Sequence, residues 1–243
     1  MEDALVLRSD SDGVTRLTLN RPDKHNAMNP ATFVELRAHV DAIADDPSVR
    51  VVVIDGAGKS FCAGNDLGSI AAGEKAPSVH FQAETIDNLE ALAQPVIAQV
   101  HGHCYTGALE LILGCDFIVA ADDASIGDTH GQWGLVPVWG MSVRLPERVG
   151  PAKAKELSFT AKRISGIEAA AMGLANWSVP LDELDASVDH FARQMVANSP
   201  DTISMMKRLI KDSANMARTD ALERERELPY GTPSDMAERM AQA

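Results

Sequence analysis

The chain has 243 residues, 45% hydrophobic but only 5% aromatic, and a formal net charge of −13 at pH 7. That composition suits one aliphatic core of ordinary domain size, and so acidic a surface repels phosphate backbones and anionic lipid, which excludes nucleic-acid or membrane binding through bulk charge. The three cysteines, Cys62, Cys104 and Cys115, show no Cys-x-x-Cys spacing, which argues against a disulfide scaffold and for a reducing compartment. The opening MEDALVLRSD carries no basic segment ahead of an apolar one. No apolar run approaches the ~20 residues that cross a bilayer, so the expectation is a cytoplasmic protein without a signal peptide or membrane partner.

Residues 4–8 and Val14–Leu19 flank Asp10-Ser11-Asp12-Gly13 and predict two strands joined by a polar turn. The segment 20–26 is a loop. Asn29-Pro30 then starts a helix, with Pro30 at its first position and Phe33, Leu36, Val40 and Ile43 on one face. Asp45-Asp46-Pro47 ends it, and 51–55 reads as a buried strand. An amphipathic helix over 78–93 precedes a strand over 95–100, a short apolar helix from Gly107 to about Leu113, and a strand over 116–120. This alternation predicts an α/β core. Beyond Pro151 the pattern is helical over 152–157, 166–172, 181–197, 201–217 and 221–228, which suggests a core over 1–180 and a helical region over 181–243 packed on it or on a neighbouring subunit.

Two stretches carry chemistry. GAGKSFCAGNDLG (56–68) follows a run of β-branched residues and looks at first like a phosphate loop. That loop requires glycine at position 53, which is Val53, and a helix where Gly64 and Gly68 fall; a dinucleotide fingerprint requires a small residue at 61, which is Phe61. What remains is a glycine-spaced loop, Ala63-Gly64-Asn65-Asp66, that either turns backbone N–H groups toward a developing oxyanion or is an ordinary surface turn. In Gly107-Ala108-Leu109-Glu110 a glycine opens a helix and a carboxylate follows three residues later among Leu109, Leu111, Ile112 and Leu113. Burial would raise the Glu110 pKa toward a useful acid–base range unless a buried arginine pairs with it.

Four segments together resemble the crotonase superfamily, the enoyl-CoA hydratase/isomerase fold. They are LTLNRPDKHNAMN (17–29), SFCAGNDLGSI (60–70, against AFxAGxDL), HGHCYTGALELILGCDFIVAADDASIG (101–127, against NGxxxGGGxELxxxCDxxxA) and the continuation through residue 180. The resemblance implies an α/β fold, a spiral of ββα units with a C-terminal helical region, assembled as a homotrimer or a dimer of trimers. It implies an acyl-CoA substrate, with CoA as part of the substrate and no metal or redox cofactor. The backbone N–H groups of Asn65 and Gly107 would form an oxyanion hole for the thioester carbonyl. Lys24 would lie near the CoA phosphates, with Ala63, Asp66 and Leu67 along the adenine and pantetheine path.

The pattern departs from the family at one catalytic position. Hydratases of the family carry a second glutamate in FGxPExxxG, and the aligned IGDTHGQWG (126–134) places His130 there. A histidine can donate or accept a proton near neutrality. Asp128 stands close enough in sequence to orient or charge it, and Trp133 and Trp139 suggest an unusual acyl pocket, although His130 also reads as a loop histidine with no chemical role. A second departure is the ending AERMAQA, where the family commonly carries a basic, aromatic tail. Lys207, Arg208 and Lys211 read mainly as a solvated face. The expected activity is hydration of a 2-enoyl-CoA to a 3-hydroxyacyl-CoA, Glu110 activating water and His130 managing the α-proton. An isomerase or lyase of the same family, and a non-catalytic acyl-CoA binder, stand as alternatives.

Overall fold

A computed structural model describes residues 4–242; Met1–Asp3, part of the opening read for a signal peptide, and Ala243 lie outside the described residues. Strands β1 (Val6–Ser11) and β2 (Val14–Leu19) form an antiparallel hairpin. Asp12 (φ 50°) and Gly13 (φ 80°) both take positive φ at its turn, which is why Asp-Gly closes it. Thr15, Leu17 and Leu19 alternate inward along β2. Helix α1 (Pro30–Ala44) begins where the Asn29 side chain accepts from Thr32 N, and it buries Phe33, Leu36, Val40 and Ile43.

Strand β3 (Val51–Gly56) is buried on both faces, Val51 to Ile54 having no exposed surface. Helices α2 (Leu67–Ala72) and α3 (Phe81–Ala91) follow, then β4 (Val96–Val100), β5 (His103–Tyr105), α4 (Gly107–Leu113), β6 (Phe117–Ala121), β7 (Ser125–Gly127) and α5 (His130–Trp133). Helix α6 (Met141–Thr160) breaks at Gly150 (φ 77°), ahead of Pro151. The short β8 (Ile164–Ser165), α7 (Gly166–Ala171) and β9 (Trp177–Val179) lead to α8 (Leu184–Val196), α9 (Pro200–Ser213), α10 (Arg218–Arg226) and α11 (Met236–Ala241).

The strands form two sheets. The larger runs β1-β2-β3-β4-β6-β9, parallel after the first hairpin, and the smaller is β5-β7-β8. Strands of two or three residues are too short to show a period of two, so the smaller sheet and β9 are not read from the sequence. The helical reading at 152–157 catches only the second half of α6, because Pro146 and Gly150 mask the first. Helices α2 and α11 also go unread.

Helix α8 packs across the larger sheet. Leu184, Val188 and Ala192 are buried there, and Phe191 stands edge-on to Phe117 and Trp177. A polar clamp crosses the same face: Arg16 reaches Asp55 (2.6 Å), the Gln99 side-chain oxygen (2.9 Å) and Asp189 of α8 (3.0 Å). Lys207 of α9 is not part of a solvated face: its Nζ lies 2.7 Å from Asp116 Oδ2 and 3.1 Å from the Gln94 carbonyl. Arg208 lies over the Tyr230 ring and Lys211 faces Glu90 at 3.4 Å.

Asn26 ties the 20–26 loop to the segment after β3. It takes a left-handed backbone (φ 55°), accepts from Arg21 N at 2.8 Å and donates to the Ala57 and Ser60 carbonyls at 2.9 and 2.7 Å. Removing the amide leaves a buried carbonyl without its donor. Asn26→Ala is therefore expected to destabilise the fold by about 1–3 kcal/mol in denaturant titration; an unchanged midpoint would show that the loop holds without it.

Candidate active site

The register of the small sheet decides what meets what. Tyr105 pairs with Gly127, so the residues that follow each strand, Thr106-Gly107 and Asp128-Thr129-His130, emerge side by side. Thr106 N donates to the Gly127 carbonyl at 2.9 Å, and the chain then turns sharply at Thr106 (φ 54°, ψ −110°) into α4. The 63–66 loop arrives from the other side. Met28 N donates to the Gly64 carbonyl and Asp66 N to the Met28 carbonyl, both at 2.8 Å, leaving Asn65 between them. Gly64 has φ +105°, and a β-carbon there would stand 2.6 Å from the Tyr105 carbonyl oxygen and 3.4 Å from Gly107 N. The backbone nitrogens of Asn65 and Gly107 are thus neighbours. Among the hydrogen bonds of the described residues, neither donates to a protein acceptor; the first N–H groups of a helix have no partner within it.

Glu110 sits one turn into α4 with 2% of its surface exposed. Among the described residues no arginine pairs with it. Its Oε1 instead accepts from the backbone N–H groups of Trp139 (2.8 Å) and Met141 (3.2 Å), at the start of α6. Burial raises its pKa above the ordinary 4.5, against the pull of those two N–H groups and of His130. The free oxygen, Oε2, faces His130 Nε2 at 3.6 Å. That is too long for a hydrogen bond, so the two groups keep their exchangeable positions open toward the space between them.

Behind the imidazole, His130 Nδ1 lies 2.6 Å from Asp128 Oδ1, which also accepts from His130 N at 3.1 Å. Burial alone would raise the Asp128 pKa, but hydrogen bonds from His130 and Ser158 hold it below the usual carboxylate range. An ionised Asp128 accepts a hydrogen bond from Nδ1–H and leaves Nε2 directed at Glu110. His130 is buried, oriented by Asp128 and opposed to the one acid in α4.

Two adjoining cavities flank this group and share Leu135. One of about 340 Å³ is lined by Ala63, Asn65, Asp66 and Leu67 together with Thr106, Thr129, Gln132 and Trp133. The other, about 420 Å³, opens on Asp128 and His130 and is walled by Met141, Leu145 and Phe159. Lys24 is exposed on a tight turn outside both linings, three residues before Ala27, which lines the first. The Asp66 carboxylate is engaged by Arg21 (2.9 Å) and by the first N–H groups of α2, so at this position the protein offers shape rather than a free charge. Trp133 stands at the rim, but Trp139 is buried against Phe33 and over Gly107 instead of lining a pocket. Sequence reasoning missed the backbone of Trp139 and Met141 as Glu110's partners, because main-chain donors leave no residue signature. It also passed over Thr106 and Thr129, whose positions next to Gly107 and His130 were the available signal.

The enoyl-CoA hydratase/isomerase family model matches residues 9–242. Among curated proteins, the chain is 30% identical over 235 residues to the probable enoyl-CoA hydratase 1, peroxisomal, of Arabidopsis thaliana, covering 97% of this chain and 89% of that protein. It is 35% identical over 212 residues to the crotonyl-CoA hydratase of Syntrophomonas wolfei, covering 86% and 80% respectively. The crystal structure of an enoyl-CoA hydratase from Bacillus anthracis superposes with a TM-score of 0.92 at 31% identity, covering 98% of this chain and 95% of that one.

Two outcomes follow from the geometry. A methyl group at Gly107 would overlap the Trp139 ring, and overpacking of this kind costs about 1–3 kcal/mol; Gly107→Ala is expected to show that loss in denaturant unfolding, and a neutral result would mean the ring moves aside freely. The second concerns pH. The folded protein holds the Glu110 proton more tightly than the unfolded chain does, so the carboxyl adds no penalty below the ordinary 4.5 and an increasing one as pH rises through the elevated value. Glu110→Gln keeps an acceptor for Trp139 and Met141 without the charge. Its melting temperature is expected to exceed that of the native chain at pH 8 and to approach it at pH 4; the opposite trend would contradict the raised pKa.

Proposed function

The chain belongs to the enoyl-CoA hydratase/isomerase family, and from that premise we propose that it adds water across the double bond of a 2-enoyl-CoA to give a 3-hydroxyacyl-CoA. The observation that carries this reading is the buried pair of Glu110 Oε2 and His130 Nε2, 3.6 Å apart with Asp128 behind the imidazole. The thioester carbonyl would lie between the N–H groups of Asn65 and Gly107. Water bonds to the β-carbon while one of its protons passes to ionised Glu110. The alkene electron pair shifts toward the α-carbon and the carbonyl pair moves onto oxygen, forming an enolate held by the two N–H groups. The enolate then collapses and the α-carbon takes the Nε2 proton of His130, which enters the cycle as the imidazolium with its Nδ1–H donated to Asp128 and leaves it as the neutral ring. Transfer of the proton from Glu110 back to His130 restores the starting state.

In this reading Ala63, Asp66 and Leu67 shape the path of the CoA arm, Lys24 meets its phosphates at the mouth, and Trp133 walls the acyl group. The steps need no group beyond CoA itself. Assembly as a homotrimer or a dimer of trimers fits α9, which buries no residue within the chain while Met206 and Ile210 lie exposed. We place the protein in the cytoplasm on its composition; among the described residues no helix is long and apolar enough to cross a membrane. A second reading follows from His130 standing where the second glutamate would be: one carboxylate and one imidazole suit moving a proton between carbons, as an isomerase or lyase does, without placing a water.

The test is turnover of crotonyl-CoA, followed through loss of the conjugated thioester absorbance. Glu110→Gln is expected to lower kcat by about 100- to 10,000-fold with acyl-CoA binding retained, and Asp128→Asn to lower it by a smaller factor through loss of the imidazole orientation. Unchanged turnover in Glu110→Gln would overturn the assignment. Consumption of a 3-enoyl-CoA without hydration of crotonyl-CoA would move it to the isomerase.

A further inference from the structure

We propose that the hydroxyl pair of Thr106 and Thr129 is a positioning latch that sets the Gly107 N–H and the His130 imidazole relative to one another. The proposal rests on the reading of Gly107 as an oxyanion donor. Thr106 has φ 54° and ψ −110°, a backbone that a β-branched residue adopts only when its surroundings impose it. The motif that 101–127 resembles carries glycine at this position, where the strain would vanish. The threonine brings a hydroxyl in exchange. Its Oγ1 lies 2.5 Å from Thr129 Oγ1 and accepts from Thr129 N at 3.3 Å, while Thr106 N donates to the Gly127 carbonyl at 2.9 Å.

Both threonines are buried, with 8% and 4% of their surface exposed. Each immediately precedes a functional group, Thr106 the Gly107 N–H and Thr129 the His130 ring. Both also line the cavity that holds Asn65 and Ala63. A buried hydroxyl pair is a directional link, unlike an apolar contact of the same size, because the bond fails when either backbone rotates. The latch therefore couples the donor that would hold the enolate oxygen to the group that would protonate its α-carbon. Both threonines act through their neighbours and touch no reacting atom in this scheme.

The test reads enolate stabilisation separately from turnover. Acetoacetyl-CoA ionises at its α-carbon, and its enolate absorbs in the near ultraviolet, so bound enolate reports directly on the two N–H groups. Thr129→Val removes the hydroxyl at nearly constant shape. It is expected to lower kcat by about 10- to 100-fold, the scale of a misplaced reacting geometry, with KM changed by less than about twofold. The enolate band should weaken by about tenfold while butyryl-CoA affinity, measured by calorimetry, is retained. Thr129→Ser, which restores the hydroxyl, should recover most of both signals, and Thr106→Gly, which relieves the strain and removes the bond, should fold well and resemble Thr129→Val.

Full kcat and a full enolate band in Thr129→Val would overturn the latch, as would Thr129→Ser being as impaired as Thr129→Val, which would mark a packing role. Absence of an enolate band in the native protein would overturn the oxyanion reading and the latch with it. A native band without crotonyl-CoA turnover would remove only the hydration reading, and the latch is then decided on the band alone.

Discussion

A carboxylate buried in an apolar helix is the constraint on which the rest of this structure depends. Glu110 is surrounded in sequence by leucine and isoleucine and has almost no contact with solvent. An ionised carboxyl in such a place is costly unless hydrogen bonds compensate it. The fold supplies two from the backbone of Trp139 and Met141, at the start of α6. They fix one oxygen and lower the cost of ionisation without cancelling it, so the group retains a raised pKa. The other oxygen has no hydrogen-bond partner among the described residues and faces His130. Helix α6, its approach from Leu135 and the packing of Trp139 over Gly107 are arranged around that requirement.

The small sheet does the corresponding work for the partner groups. Its strands are so short that they contribute little stability, yet the pairing of Tyr105 with Gly127 sets the turn into α4 beside the Asp128–His130 segment. A shift of one residue in this register would turn the side chains to the opposite face and separate the imidazole from Glu110. The larger sheet and the clamp from Arg16 through Asp55 and Gln99 to α8 hold this small assembly on a rigid base. Precise placement thus comes from a minor element anchored to a major one.

The exchange of a glutamate for His130 changes the electrostatics of the pair. Two buried carboxylates a few ångströms apart repel one another, and one is driven to hold a proton. A carboxylate facing an imidazole lacks that repulsion, and Asp128 places a second carboxylate on the far side of the ring. The cavity beside His130, with Leu145 and Phe159 among its walls, is mostly apolar.

The sequence by itself determined the α/β class and the main strands and helices, and its resemblance to the family singled out Glu110, His130, Asn65 and Gly107 as candidates. The elements were legible because they rest on local signals: alternating or helical periodicity, a proline after an asparagine cap, glycines at close turns. It placed Asp128 two positions before His130 but gave no geometry for the pair. Tertiary structure alone decided the rest. The 2.6 Å contact of Asp128 with Nδ1 depends on a backbone turn, Glu110's partners are main-chain N–H groups 29 and 31 residues away, and the Thr106–Thr129 contact joins strands too short to announce themselves. Lys207 reads as a surface charge until α9 brings it to Asp116. Sequence patterns record what each residue prefers within a few positions of itself, whereas these contacts are set by sheet register and helix packing across the whole chain.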